Sequence, residues 1–78
     1  MIIEQILAQL DELFTQHKVD QGENFLLQRI DEAAKEKDTA SMITLLNEII
    51  GHYREMGEFE KSIAGCRQVL LLMDQAYN

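Results

Sequence analysis

Proline is absent from these 78 residues and glycine occurs four times, at Gly22, Gly51, Gly57 and Gly65. A strand-rich or loop-rich fold needs more turn residues than that, which leaves long helices joined by few corners. Cysteine occurs once, at Cys66. That excludes an internal disulfide and suits a reducing compartment, so the expected location is the cytoplasm. The longest wholly apolar run, Val69-Leu70-Leu71-Leu72-Met73, is far too short for a transmembrane span. Met1-Ile2-Ile3-Glu4 lacks the positive start of a signal peptide. Basic residues are scarce as well, seven Lys and Arg against fourteen Asp and Glu, a net charge of −7. Phosphate backbones and anionic lipid repel such a chain, so nucleic acid and membrane surfaces are poor partners.

Hydrophobic residues make up 46% of the chain and charged residues 27%, the balance of a single folded domain over 1–78. Four segments carry helical periodicity. Ile3, Ile6, Leu7, Leu10, Leu13 and Phe14 recur at spacings of three and four, in a helix expected to end near His17-Lys18. Asp20-Gln21-Gly22-Glu23 has the capping-box arrangement and predicts the start of a second helix, with Val19 as a staple and Phe25, Leu26, Ile30, Ala33 and Ala34 inside. Asp38 or Thr39 caps a third, striped by Met42, Ile43, Leu45, Leu46, Ile49, Ile50 and Tyr53. Gly57 supplies a left-handed stop. A fourth helix follows, with Phe59, Ile63, Cys66, Val69, Leu70 and Met73 expected to face inward.

Shifting the chain by forty residues lays apolar on apolar: Ile3 on Ile43, Ile6 on Leu46, Leu10 on Ile50, Leu13 on Tyr53, Val19 on Phe59, Leu26 on Cys66, Ile30 on Leu70 and Ala33 on Met73. Arg29 on Val69 and Glu32 on Leu72 are mismatches. Agreement across two helices and the intervening corner points to a helical-hairpin repeat. The expected fold is all-α, two stacked antiparallel hairpins over about 2–36 and 39–76.

The second half, Leu45 to Asp74, resembles a tetratricopeptide repeat. Leu46, Ile49, Ile50 and Tyr53 stand where that family's first helix has its signature, and Gly57 holds the corner. Phe59, Ser62, Ile63 and Cys66 stand at the second-helix positions, followed by Val69 and Leu70. Ile50 replaces a small residue where the two helices touch, which predicts a slightly opened hairpin. Asp74 stands in place of the terminal proline, and in the first half Leu10 and His17 replace the small residue and the corner glycine. The resemblance implies a protein or peptide partner held in a groove lined by first helices. Positions resembling the lining set are Thr44, Asn47, Gly51, Arg54 and Glu55, with Gln5, Gln9 and Glu12 from the first hairpin. Asn47 can pair with a backbone amide and Arg54 with a carboxylate. The alternative for all eight is an ordinary solvated helix face.

Two such hairpins supply roughly 3–5 kcal/mol from one core, and arrays of this kind normally need about three. The fourth helix is apolar nearly all round, as an internal helix would be. The chain is therefore expected either to be the N-terminal piece of a longer array or to pair as a two-fold homodimer through Val69, Leu71, Leu72 and Met73. An N-terminal regulatory part of a larger protein is a third possibility.

Chemistry is thinly represented. His17, His52 and Cys66 stand at no i, i+4 spacing that would gather them for a metal. Cys66 reads as core packing, and both histidines read as surface or corner positions. Adjacent pairs such as Asp11-Glu12 and Asp31-Glu32 read as solvated faces, and no glycine-rich phosphate loop occurs. The expectation is a non-enzymatic interaction module with no metal and no cofactor.

Overall fold

A computed structural model describes residues 1–77. Four helices fill them: α1 Ile3–Thr15, α2 Val19–Lys35, α3 Thr39–Glu55 and α4 Phe59–Tyr77. The all-α expectation holds across these residues. The corners share one construction. His17, Lys37 and Gly57 adopt left-handed φ angles of 59°, 56° and 75°. In each corner that residue's N–H donates back to the carbonyl three positions earlier, Phe14, Ala34 or Arg54. The next N–H reaches five back, to Leu13, Ala33 or Tyr53, at 2.8–2.9 Å. These paired bonds satisfy carbonyls that a helix end leaves open. Positions 17, 37 and 57 lie 20 residues apart, half the forty-residue shift that aligns the two halves of the sequence.

Helix starts follow the sequence in one case and depart from it in another. Asp38 caps α3 as expected, its carboxylate accepting from the Ser41 N–H at 3.2 Å. The Asp20–Glu23 capping box does not form. The corner at His17-Lys18 turns the chain early enough that α2 starts at Val19 with Lys18 as its cap residue, and no side chain caps it. Asp20 lies inside the first turn, where its charge complements the helix N-terminus instead. For the same reason α1 stops at Thr15, short of His17-Lys18.

Packing runs in series, α1 on α2, α2 on α3 and α3 on α4. With a neighbour on each side, α3 must be apolar over a wide arc. Its adjacent pairs Leu45-Leu46 and Ile49-Ile50, all buried, provide that. Leu10 and Leu26 complete the deepest layer with Leu45.

The inward face of α4 differs from the expected one. Ser62, Gly65, Val69 and Leu72 turn toward α3, whereas Phe59, Ile63, Cys66, Leu70 and Met73 are exposed. The cause is steric. Ile50 projects from α3 into the space above Gly65, where a β-carbon would lie 2.6 Å from its Cγ1. Beside it, the Ser62 hydroxyl donates to the Ile50 carbonyl at 3.3 Å. The helices meet closely because α4 offers small residues at the contact. The bulk of Ile50, expected to open the hairpin, is thus absorbed by the missing side chain opposite. The first hairpin repeats the arrangement, with the Phe14 ring of α1 over Gly22 of α2, where a β-carbon would lie an equally short 2.6 Å from its Cε1.

Gly65→Ala is expected to destabilise the chain by about 1–2 kcal/mol in urea unfolding, although alanine is the better helix former. In an Ile50→Ala background the same substitution is expected to cost nothing. Equal costs in both backgrounds would remove Ile50 as the reason for Gly65. His17→Gly, which relieves a left-handed non-glycine residue, is expected to stabilise by roughly 0.5–1 kcal/mol in the same measurement.

Candidate functional site

The eight groove positions do not share one surface. Asn47, Gly51 and Glu55 line an open hollow of about 370 Å³ with Phe14, Val19 and His52. Gln5 and Gln9 line a second hollow, between α1 and α2, with Arg29, Glu32 and Glu36. Thr44 turns its hydroxyl back onto the Ala40 carbonyl at 3.1 Å. Glu12 accepts from Gln16 Nε2 at 2.6 Å, and Arg54 is exposed near the end of α3. The Arg29–Val69 mismatch is explained by the second hollow. Arg29 lies between α1 and α2, its guanidinium over the Phe25 ring at 5.2 Å and its Nη1 on Glu32 at 2.9 Å.

His52 is not a surface residue. It is 8% exposed and stacks on Phe14 with ring centroids 5.5 Å apart, so the imidazole joins α3 to α1. Its Nε2 stands 3.5 Å from a Glu23 carboxylate oxygen on α2. Tyr53 packs beside it, with the Lys61 ammonium 5.5 Å from the Tyr53 ring centre. Burial, and after it the charge of Glu23, raise the Tyr53 hydroxyl above its ordinary pKa. A helix-period reading could not find this cluster, because Glu23 and His52 meet only through tertiary packing. His17, in contrast, stays exposed at its corner.

The outer face of α4 is the largest departure from a sealed surface. Phe59 is 61% exposed, Ile63 52%, Leu70 65% and Met73 43%, with Cys66 exposed between them. Their spacing is four, three, four, three, one continuous stripe along the helix. Of the four residues expected to form a self-association face, Val69 is buried against α3 and Leu72 is half-buried. Leu71 and Met73 are exposed, so the four do not form one surface.

The forty-residue shift that aligns the two halves of the sequence relates the stripe to α2. Forty residues earlier stand Val19, Glu23, Leu26, Ile30 and Ala33 on α2, the side that α3 covers. Glu23 meets His52, Ile30 shares an apolar hollow with Leu46 and Ile49, and Leu26 and Ala33 are fully buried. On α4 the corresponding side has no helix over it. Contiguous exposed apolar side chains, unlike singly scattered ones, are the pattern that marks a contact site.

Among the described residues no group of three or more His, Cys, Asp or Glu gathers as a metal ion would require, and no helix is long and apolar enough to cross a membrane. Comparison with protein-family models, with curated proteins and with solved structures yields no match.

In a Tyr77→Phe background, Glu23→Gln is expected to bring the Tyr53 titration down toward, but not to, its ordinary value, read by tyrosinate absorbance. Burial persists while the neighbouring charge is gone. A raised folded-state pKa means that the stability tied to protonated Tyr53 is full below the ordinary value of 10.0 and lost as pH rises through the raised one. An unchanged titration would remove Glu23 from the cluster.

Proposed function

We propose that the chain is a non-catalytic protein-interaction module of tetratricopeptide-like type, two helical hairpins in series, whose contact surface is the outer face of α4. The observation that carries the reading is that stripe, the repeat counterpart of a face that α2 buries under α3. Support for the repeat comes from the corners at positions 17, 37 and 57 and from packing that runs chiefly between neighbours in sequence. The kind of partner follows from the same correspondence. A stripe shaped like the α3-facing side of α2 takes an amphipathic helix with aliphatic residues every three or four positions. Net charge −7 argues against nucleic acid and anionic lipid as alternatives. A lone exposed thiol in this stripe is best kept reduced, which favours the cytoplasm.

A second surface has one observation in its favour. Asn47, Gly51 and Glu55 share a hollow floored by buried His52, so a peptide lying along α3 would find polar groups there. The α4 stripe ranks above it because apolar exposure on this scale costs solubility unless it is covered.

A synthetic peptide of the chain's own residues 39–56, which carry the face that covers α2, separates the two surfaces. Titrated into isotope-labelled protein, it is expected to shift amide resonances along Phe59, Ile63, Leu70 and Met73. Leu70→Glu is expected to weaken the peptide at least tenfold without altering the helical signal, because Leu70 is 65% exposed. Shifts confined to Asn47, Gly51 and Glu55 would move the function to the hollow on α3.

A further inference from the structure

Resting on that reading of α4, the stripe also identifies its occupant: we infer that a second copy of this chain covers it, α4 against α4 in antiparallel sense about a two-fold axis. The four-three spacing of Phe59, Ile63, Cys66, Leu70 and Met73 is that of a coiled-coil seam. Ser62, Gly65, Val69 and Leu72, which hold α4 to α3, flank the seam and leave it open.

Head-to-tail stacking of copies is the competing arrangement, and α1 is unsuited to it. On α3 the residues Leu45, Ile49 and His52 belong to the buried face, and forty residues earlier α1 has Gln5, Gln9 and Glu12, all exposed. Setting two glutamines and a glutamate on the apolar stripe would bury polar groups without partners. Such stacking also leaves an apolar α4 open at one end of every assembly, whereas a two-fold contact covers both stripes at once.

Charge selects the direction and the register. Glu60 and Arg67 are exposed, lie one heptad apart beside the seam, and are in no ion pair within the described chain. In a parallel pair the residues opposite them would be those of the α3-facing side, Ser62 and Val69, which offer no countercharge. Two antiparallel registers keep the seam intact. One sets Arg67 against the partner's Arg67 and Glu60 against the partner's Asp74, like against like. The other sets Ile63 on the partner's Cys66, Phe59 on the partner's Leu70 and Glu60 on the partner's Arg67, with each ion pair occurring twice. That register also carries Met73 toward the corner where the partner's Met56 is 57% exposed in the single chain.

The test is the solution mass of the whole chain by sedimentation equilibrium across a hundredfold dilution. The expected species is a dimer of the 9.0 kDa chain. Leu70→Glu is expected to give monomer with an unchanged helical signal, and Leu71→Glu, which lies outside the seam, is expected to leave the dimer intact. Glu60→Arg and Arg67→Glu alone should each weaken dimerisation roughly tenfold, and together restore it to within about twofold. Absence of rescue in the double variant overturns the register, and a dimer indifferent to Leu70→Glu overturns the seam. A monomer at every concentration that still binds the 39–56 peptide on α4 overturns the second copy but spares the interaction surface. A monomer that binds nothing there overturns both.

Discussion

The contact between Ile50 and Gly65 decides which way the last helix faces. A helix with apolar residues on most of its circumference has several candidate inward faces, and hydrophobicity alone does not choose among them. Close approach does. Ile50 needs a space with no β-carbon, Gly65 is where α4 offers one, and Ser62 beside it finds an acceptor in the Ile50 carbonyl. Once those two positions lie on α3, Val69 and Leu72 follow at helical spacing, and Phe59, Ile63, Leu70 and Met73 are carried outward. The exposed stripe is therefore a geometric consequence of how the second hairpin closes, and burying it requires a further helix.

This also shows where a reading of the chain by residue type succeeds and where it stops. Four helices, the left-handed turn at Gly57 and the Asp38 cap were legible because each depends on local chemistry within a few residues. The forty-residue correspondence was legible as pattern, but its 20-residue half was hidden. His17 and Lys37 adopt the left-handed corner conformation without being glycine, so nothing in their identity announces it. The capping box at Asp20 misled for a related reason, since the preceding corner starts α2 before that motif can act. On α4 the rule that large apolar residues go inside assigned six positions, of which Val69 alone is buried. Small residues won the contact because two backbones approaching closely exclude bulk whatever its hydrophobicity. His52 was misplaced because its burial depends on Phe14 and Glu23, residues from two other helices.

The two hairpins are alike in plan and unlike in their outer surfaces. Against α1 stand Gly22, Phe25, Arg29 and Glu32, and against α3 stand Ser62, Gly65, Val69 and Leu72. The first interface keeps an arginine whose aliphatic stem and ring contact serve as packing while its charge is met by Glu32. The second is apolar apart from one serine. The same gradient runs outward. The free side of α1 carries the exposed polar residues Gln5, Gln9 and Glu12, while the free side of α4 carries aromatic and aliphatic groups. Cores built in series require a polar end to stop further stacking. This chain has one such end.

An open apolar end has a thermodynamic meaning as well. Packing in series means each helix contributes chiefly through its immediate neighbours, so α4 is held mainly through α3 while α3 is held from both sides. A partner that covers α4 adds a second neighbour to the helix with the fewest, and any partner bound only by the folded chain stabilises it in proportion to its concentration. If the stripe is covered as proposed, recognition and folding are coupled through one element. The residues that pack α4 onto α3 set whether the stripe is presented, and an occupant would set how firmly α4 stays. On the proposed reading, that coupling would make the small residues Ser62 and Gly65 matter to recognition, although neither lies on the exposed stripe. A side chain at position 65 would have to displace Ile50 or rotate α4, and rotation would redirect the exposed stripe itself.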